Sequence, residues 1–502
     1  MKTPLIGAEL TTQKKDFPKV QLTLIELASC CYLIFPLLFF MTFYPLYITI
    51  PLDLFILWQL GILIRKTNFN IKPTCSNVII ALFLALLFAS LIGIIPGSHI
   101  QPTADWMKHD AVLNDLSYCT WPPRFDGMQL RYYLGYYLIP AALSAGVQEL
   151  NYILLYGWTV IGLTIVFLAI APYTSTRFFL FILAFIFFSG FDLFGGLLTN
   201  WLVGNRVHAG LDWWSNNVGM QYVSIMNLLL WVPQHALPAW ILTTLFFNKK
   251  TSSIILSNAG LLFSATLLWS IFVPVGAFPY FLLRAVQQRT LFIFKNGLTT
   301  IVVGGPVLIY LLTNSAAIPM EMSWSLPNFT VLNYFIFMLV EVGIWIIWLL
   351  LVQKSAYYDK SLIILLTIIL SLIPFLHIGA GAGNDFVLRA SIPSLTILAM
   401  FICHVLVMKP NRWPILFVTL SLLVIASISP LMEVKEAISS QNKNEKWQVL
   451  LRESPYQITT TDFIGTHAEV QLFASIPFLK DSPSCKRKLD SNTRAQVIST
   501  TG

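Results

Sequence analysis

The sequence predicts an all-α polytopic membrane protein, and three observations carry that prediction. Of 502 residues, 56% are hydrophobic and 11% charged, whereas an ordinary soluble domain is about a quarter charged. Apolar runs recur from residue 21 to residue 430, many near the length of about 20 residues that a spanning helix needs. Lys and Arg fall in the short segments between those runs, as membrane topology demands. The net charge of +8 is therefore no sign of a nucleic-acid partner, because the cations form neither a stripe nor a groove.

The elements follow in order. The first 20 residues are polar, with Lys14, Lys15 and Lys19 ahead of a long apolar run. That pattern reads as an uncleaved first helix. Spanning helices are expected at 21–42, 45–64, 78–96, 151–171, 178–197, 296–314, 329–352, 361–378, 391–408 and 412–430. The stretches 222–247 and 253–290 are apolar but interrupted by Pro233, Pro238, Pro274 and Pro279. Kinked or half-length helices are expected there, tolerated where they line a protein cavity. Segment 130–147 is aromatic and apolar. It reads as interfacial rather than crossing, because Arg177 then obeys the positive-inside tendency, and the count becomes about 13 crossings.

Lys and Arg at 14–19, 65–72, 249–250, 284–295, 354–360 and 409–412 mark a cytoplasmic side. Loops 97–129, 198–221, 315–328 and 379–390 are poorer in positive charge and lie opposite. The N-terminus is then cytoplasmic and the C-terminus extracytoplasmic. Three regions result: 1–77, a cytoplasmic segment with two helices; 78–430, a transmembrane core; and 431–502, an outer tail. In the tail, alternation suggests strands at Gln457–Thr461 and Val470–Phe473, and the last 20 residues read as disordered. The six cysteines have no metal-binding spacing. Only Cys119 and Cys485 fall in segments placed outside, where a disulfide is open to them.

Polar residues near the outer helix ends are the informative ones. In Asp105-Trp106-Met107-Lys108-His109-Asp110, Asp105 and His109 share a helical face that Val112 and Leu116 continue. An amphipathic helix on the outer membrane surface is expected, followed by the aromatic cluster Arg131-Tyr132-Tyr133-Leu134-Gly135-Tyr136-Tyr137. The plainer reading is a solvated helix beside interfacial aromatics. Asp192 ends the run Ser189-Gly190-Phe191-Asp192, and Asp212 follows His208. Gln234 and His235 sit in Trp231-Val232-Pro233-Gln234-His235, below the outer surface, where both need polar partners. Arg389, four residues after Asp385, lies at an outer helix start, where it either holds a phosphate or pairs with that Asp. Glu341 lies mid-helix, and the sequence names no partner for it.

Together these stretches resemble a family of uncharacterised bacterial polytopic inner-membrane proteins over about residues 78–405. The motifs are the Asp105–Leu116 run, Trp121-Pro122, Arg131–Leu138, Ser189–Asp192, Trp231–Trp240 and Asn384–Pro393. More distantly the layout is similar to the GT-C glycosyltransferase superfamily, whose members take sugars from polyprenyl-phosphate donors and carry an acid in the first large outer loop. That resemblance implies a GT-C-like fold and makes Asp105 the catalytic base, with Asp110 next. The paired acids common in that loop are absent, and Asp212-Trp213-Trp214 reverses the oligosaccharyltransferase order.

The expected function is sugar transfer from a polyprenyl-phosphate donor on the outer face of the bacterial inner membrane. Arg389, with Lys108 or His109, would hold the leaving phosphate. Asp192, Asp212, Gln234, His235 and Asp385 complete the expected substrate site. A divalent metal is left open, and membrane lipid is the other expected partner. The sequence sets no oligomeric state. Two rivals remain. An O-antigen polymerase or ligase would use several outer arginines, here Arg124, Arg131, Arg206 and Arg389. A lipid or solute transporter would need deep charges, of which Glu341 is the main one. A non-catalytic scaffold fits the polar clusters poorly.

Overall fold

The computed structural model describes residues 22–69, 73–92, 105–125, 127–144, 147, 149–171, 177–203, 211–215, 220–247, 253–289, 293–313, 320–326, 329–352, 359–379, 384–407, 413–439 and 473–485. The chain is an all-α membrane protein with only short strands. Among the described residues, six helices are long and apolar enough to cross a bilayer: Leu24–Met41, Leu46–Arg65, Leu150–Ile170, Phe294–Leu312, Val331–Val352 and Trp413–Ser439.

Helix α1 (Leu24–Met41) starts on a capping box in which Thr23 Oγ1 accepts from Glu26 N at 3.2 Å and Thr23 N donates to Glu26 at 2.7 Å. Helices α2 (Leu46–Arg65) and α3 (Cys75–Leu91) follow, and then α4 (Asp105–Tyr118). Among its described residues, segment 130–147 contributes one helix, α5 (Leu138–Leu143). At six residues it is about 9 Å long, too short to span by itself. Next come α6 (Glu149–Ile170), α7 (Phe178–Ile186), α8 (Asp192–Val203), α9 (Ile225–Trp231) and α10 (Pro233–Phe247). The stretch 253–290 becomes α11 (Ser253–Ser257), α12 (Ala259–Trp269) and α13 (Phe272–Gln287).

Helices α14 (Ile293–Thr299) and α15 (Gly305–Leu312) join through a wide π-turn, as do α16 (Val331–Met338) and α17 (Ile344–Val352). The chain ends its helical part with α18 (Lys360–Leu372), α19 (Asp385–Ala390), α20 (Ile392–Val405), α21 (Trp413–Ala426) and α22 (Ile428–Ser439).

Helices α10, α12 and α20 are buried almost all round and form the centre. Helices α2, α16, α17 and α21 expose rows of large apolar side chains, among them Leu54, Trp58, Phe335, Leu351, Phe417 and Val424. Such rows suit a hydrocarbon solvent. At one end of α13, the buried guanidinium of Arg284 bonds Phe246 O at 2.9 Å, Phe247 O and Asp359 Oδ2 at 2.6 Å. It ties the last carbonyls of α10 to the first turn of α18.

Three expectations need correction. The run 178–197 is two helices, because residues 187–191 leave the helical path and their backbone groups bond to neighbouring elements instead. Helix α4 is not a surface helix with one wet face: His109 to Leu116 are all buried. Trp106 Nε1 reaches Leu230 O at 2.8 Å, and α5 and α6 pack on the helix's other sides. The last span does not end at 430, for α22 continues to Ser439 with a single turn at Ser427 between it and α21.

The tail returns to the loop after α4. Strand β2 (Met128–Leu130) pairs with β1 (Arg124–Phe125) on one side and the tail strand Phe473–Ala474 on the other. Ser482 Oγ donates to Pro122 O at 2.6 Å, Cys485 N to Arg124 O at 2.8 Å, and Cys119 is disulfide-bonded to Cys485. Residues 457–461 and 486–502, for which strand and disorder were expected, lie outside the described residues.

Candidate functional site

Asp105 opens α4, so its carboxylate sits at the end of the helix where unpaired N–H groups favour negative charge. Three residues on, the Lys108 ammonium pairs with Asp105 Oδ1 at 3.5 Å and stands 5.7 Å from the Tyr132 ring centroid. The Asp105 side chain is about one-third exposed and Lys108 about one-seventh. Burial would raise the Asp105 carboxyl, but Lys108, His109 and Arg389 outweigh it and hold it below the usual carboxylate range. Burial likewise works against the Lys108 charge, and the neighbouring Tyr132 and Asp105 carry it above the ordinary lysine value.

His109 is fully buried, and both its ring nitrogens are used. Nε2 donates to the Trp231 carbonyl at 3.0 Å, which leaves Nδ1 to accept from the Tyr137 hydroxyl. Burial, then Lys108, pushes it down to about 4, so it is neutral at neutral pH. Through these two contacts His109 joins α4 to α5 and the end of α9.

The second half of the site comes from α19. Asn384 caps this helix, its Oδ1 accepting from Val387 N at 3.2 Å, and also from Ile378 N at 3.2 Å. Asp385 and Arg389 pair across one turn, with Arg389 mostly buried and Asp385 half exposed. Burial opposes the Arg389 charge, but Asp385, Tyr133, Tyr132 and Asp105 more than restore it. Helix α13 packs hard against this segment. A side chain at Gly276 would overlap the Ala390 carbonyl, so only glycine lets the two backbones approach.

Helix α10 supplies the third part. Gln234 Nε2 donates to Tyr132 Oη at 3.4 Å. The His235 ring meets Tyr133 edge-on at 5.0 Å, within electrostatic reach of Arg389 and Lys108. Among the described residues, four polar atoms here are buried without a hydrogen-bond partner: Arg389 Nε, Gln234 Oε1, and both ring nitrogens of His235. Orphaned groups of this kind are costly unless something fills them.

Asp105, Lys108, Gln234, His235, Asp385 and Arg389 thus converge, with His109 behind them. Asp110 does not join: five residues along α4 it points about 140° away from Asp105, and it is 5% exposed. Asp192 and Asp212 belong to another group. Asp212 is fully buried and accepts from Ser224 N at 3.1 Å, Ser224 Oγ at 2.8 Å, Asn227 Nδ2 at 2.8 Å and Ser429 Oγ. It knots the loop before α9 to α22. His208 and Arg206 lie outside the described residues.

Tyr132 and Tyr137 were legible only as interfacial aromatics, yet their hydroxyls meet Gln234 and His109. A polar tip on an apolar ring is the signal that applied. A divalent metal does not fit beside Asp105, whose near neighbour is a cation. Among the described residues, no group of three or more His, Cys, Asp or Glu is arranged to hold a metal ion. No protein-family model matches this chain, and no curated protein or solved structure does.

Proposed function

We propose that the chain is a GT-C-type membrane glycosyltransferase that moves a sugar from a polyprenyl-phosphate donor to an acceptor on the extracytoplasmic face of the bacterial inner membrane. The observation that supports it most is the convergence of Asp105 with Lys108 and Arg389, with orphaned donors and acceptors around them. A lipid-borne sugar phosphate needs such a set: cations for the phosphate, a carboxylate for the acceptor hydroxyl, and polar atoms for sugar hydroxyls.

In this reaction the acceptor hydroxyl forms a bond to the anomeric carbon while the bond from that carbon to the phosphate oxygen breaks. The hydroxyl proton goes to Asp105, and polyprenyl phosphate leaves with its electron pair toward Arg389 and Lys108. A carboxylate held this low is a weak base. It suffices because the attacking oxygen becomes strongly acidic as its new bond forms. Gln234 and His235 offer hydrogen bonds to sugar hydroxyls, and Tyr132 and Tyr133 offer ring faces.

The Cys119–Cys485 disulfide supports the orientation, since disulfides persist outside the cytoplasm. An alkaline phosphatase fusion at Gly502 is expected to be active; an inactive, stably made fusion rejects it. The polymerase or ligase alternative loses ground, because Arg124 pairs with Asp481 and Arg131 bonds Leu311 O and Thr313 O. The test of donor binding is a photoreactive polyprenyl-phosphate analogue. Labelling is expected within α4 and α19, and labelling confined to other elements defeats the proposal.

A further inference from the structure

A second group of buried polar residues lies apart from the proposed transferase site and does not depend on it. It forms where α7 breaks. That helix has nine residues, about 13 Å, less than half the roughly 30 Å hydrocarbon core. The chain then runs non-helically through Ser189, Gly190 and Phe191 before α8 begins at Asp192. Its backbone is held by partners: Phe191 N donates to Val340 O at 3.1 Å, Trp345 Nε1 to Ser189 O at 2.9 Å, and Ile225 N to Phe188 O at 3.1 Å. Opposite stands the π-turn Leu339–Gly343, which presents Glu341 half-way along a 22-residue span. A side chain at Gly190 would overlap Glu341 Oε2. Broken helices and π-turns at this depth are found where a protein lines a binding site.

The groups that meet here are acids and acceptors. Asp192 accepts from Ser189 Oγ at 2.6 Å, and Glu341 Oε1 from Trp214 Nε1 at 2.7 Å. Asp212 and Glu433 face Asp192; Glu436 faces Glu433, and Tyr222 faces Glu341. None of Asp192, Asp212, Glu341 or Glu433 has an ion-pair partner among the described residues. An independent observation points to a ligand. The Asn227 side chain, 1% exposed, donates its Nδ2 to Asp212 at 2.8 Å, yet its Oδ1 has no donor. Among the described residues, Asp192 Oδ1 and Glu433 Oε1 are buried without a donor too, and Asp192 and Glu341 meet carboxyl to carboxyl. All three of these atoms are oxygens. What is missing is positive charge.

We infer that the break between α7 and α8, with Glu341 on the facing π-turn, is a binding site for a small monovalent cation, a proton or Na+. A divalent ion is disfavoured, since among the described residues no three acids are arranged to hold one. The remaining oxygens, carboxylate with amide and hydroxyl, suit a singly charged ion.

The test uses the purified full chain in detergent. One arm measures the thermal midpoint in NaCl against choline chloride at equal ionic strength. A site for Na+ predicts a concentration-dependent rise of a few degrees, lost in Glu341→Gln. The other arm records the infrared carbonyl band of protonated carboxyl groups at neutral pH, after subtraction of an Asp53→Asn control. A site for a proton predicts a band that Asp192→Asn or Glu341→Gln removes and Asp105→Asn does not. If neither variant accumulates folded, the wild-type salt response and the wild-type band decide. The absence of both a sodium effect and a protonated-carboxyl band overturns the site, whatever the transferase assay shows.

Discussion

The guanidinium of Arg389 helps to hold the carboxyl of Asp105 below the ordinary carboxylate range, although the two residues are far apart in the sequence. Such reach brings α4 and α19 within electrostatic range of each other. It turns two local helix-turn pairs, Asp105–Lys108 and Asp385–Arg389, into one charged group.

Asp105→Asn is expected to lower transfer about 100- to 10,000-fold, the usual contribution of a general base, with the yield of folded protein unchanged. Asp110→Asn is expected to act the other way, reducing folded protein because that residue is buried. Size-exclusion profiles beside activity assays separate the two.

Arg389→Gln removes a charged donor with an unused Nε. Hydrogen bonds to charged groups contribute about 1.5–3 kcal/mol, so donor KM is expected to rise roughly 10- to 150-fold. A KM unchanged from wild type would place the lipid phosphate elsewhere.

His109 gives a signed pH dependence. Its pKa falls from 6.5 to about 4 in the fold. Between those values the unfolded chain binds more protons than the folded one, so stability rises with pH there. Full stability is present above pH 6.5, and as pH falls toward 4 about 3 kcal/mol is lost. Thermal midpoints across that range are expected to slope for wild type and to flatten in His109→Gln.

The disulfide predicts a thiol count. Under denaturing conditions without reductant, four of the six cysteines are expected to alkylate, Cys30, Cys31, Cys75 and Cys403; after reduction all six do. Mass spectrometry reads the difference. Cys485→Ser is expected to destabilise the chain by about 2–5 kcal/mol.

Arg284→Met leaves the Asp359 carboxylate without its cation and two α10 carbonyls without their donor. Breaking a buried pair costs about 3–5 kcal/mol, so a lower thermal midpoint is expected; the double variant Arg284→Met with Asp359→Asn is expected to regain part of it.

Membrane class, the helical reading of 105–116 and the spacing of the two ion pairs were legible because each depends on neighbours within a few residues. The Cys119–Cys485 pair was one of the alternatives that composition left open. What stayed hidden depends on distant packing. The break at 187–191 in the run 178–197 stayed hidden because its backbone partners Val340 and Trp345 come from another helix. Glu341 named no partner for the same reason: Trp214 and Asp192 lie far away in sequence. Asp212 looked like a site residue because it is polar in an outer loop, yet its four donors make it a knot. The surface-helix reading of α4 failed because amphipathicity says which face is apolar, not what covers the other.

The most direct measurement is transfer itself. Purified protein, reconstituted with a radiolabelled polyprenyl-phosphate sugar and an envelope fraction that supplies the acceptor, should move label from lipid to acceptor. Asp105→Asn and Arg389→Gln in the same vesicles should move little or none. Full transfer by the Asp105→Asn protein, or none by the wild type across the common polyprenyl-phosphate sugars, would contradict the account.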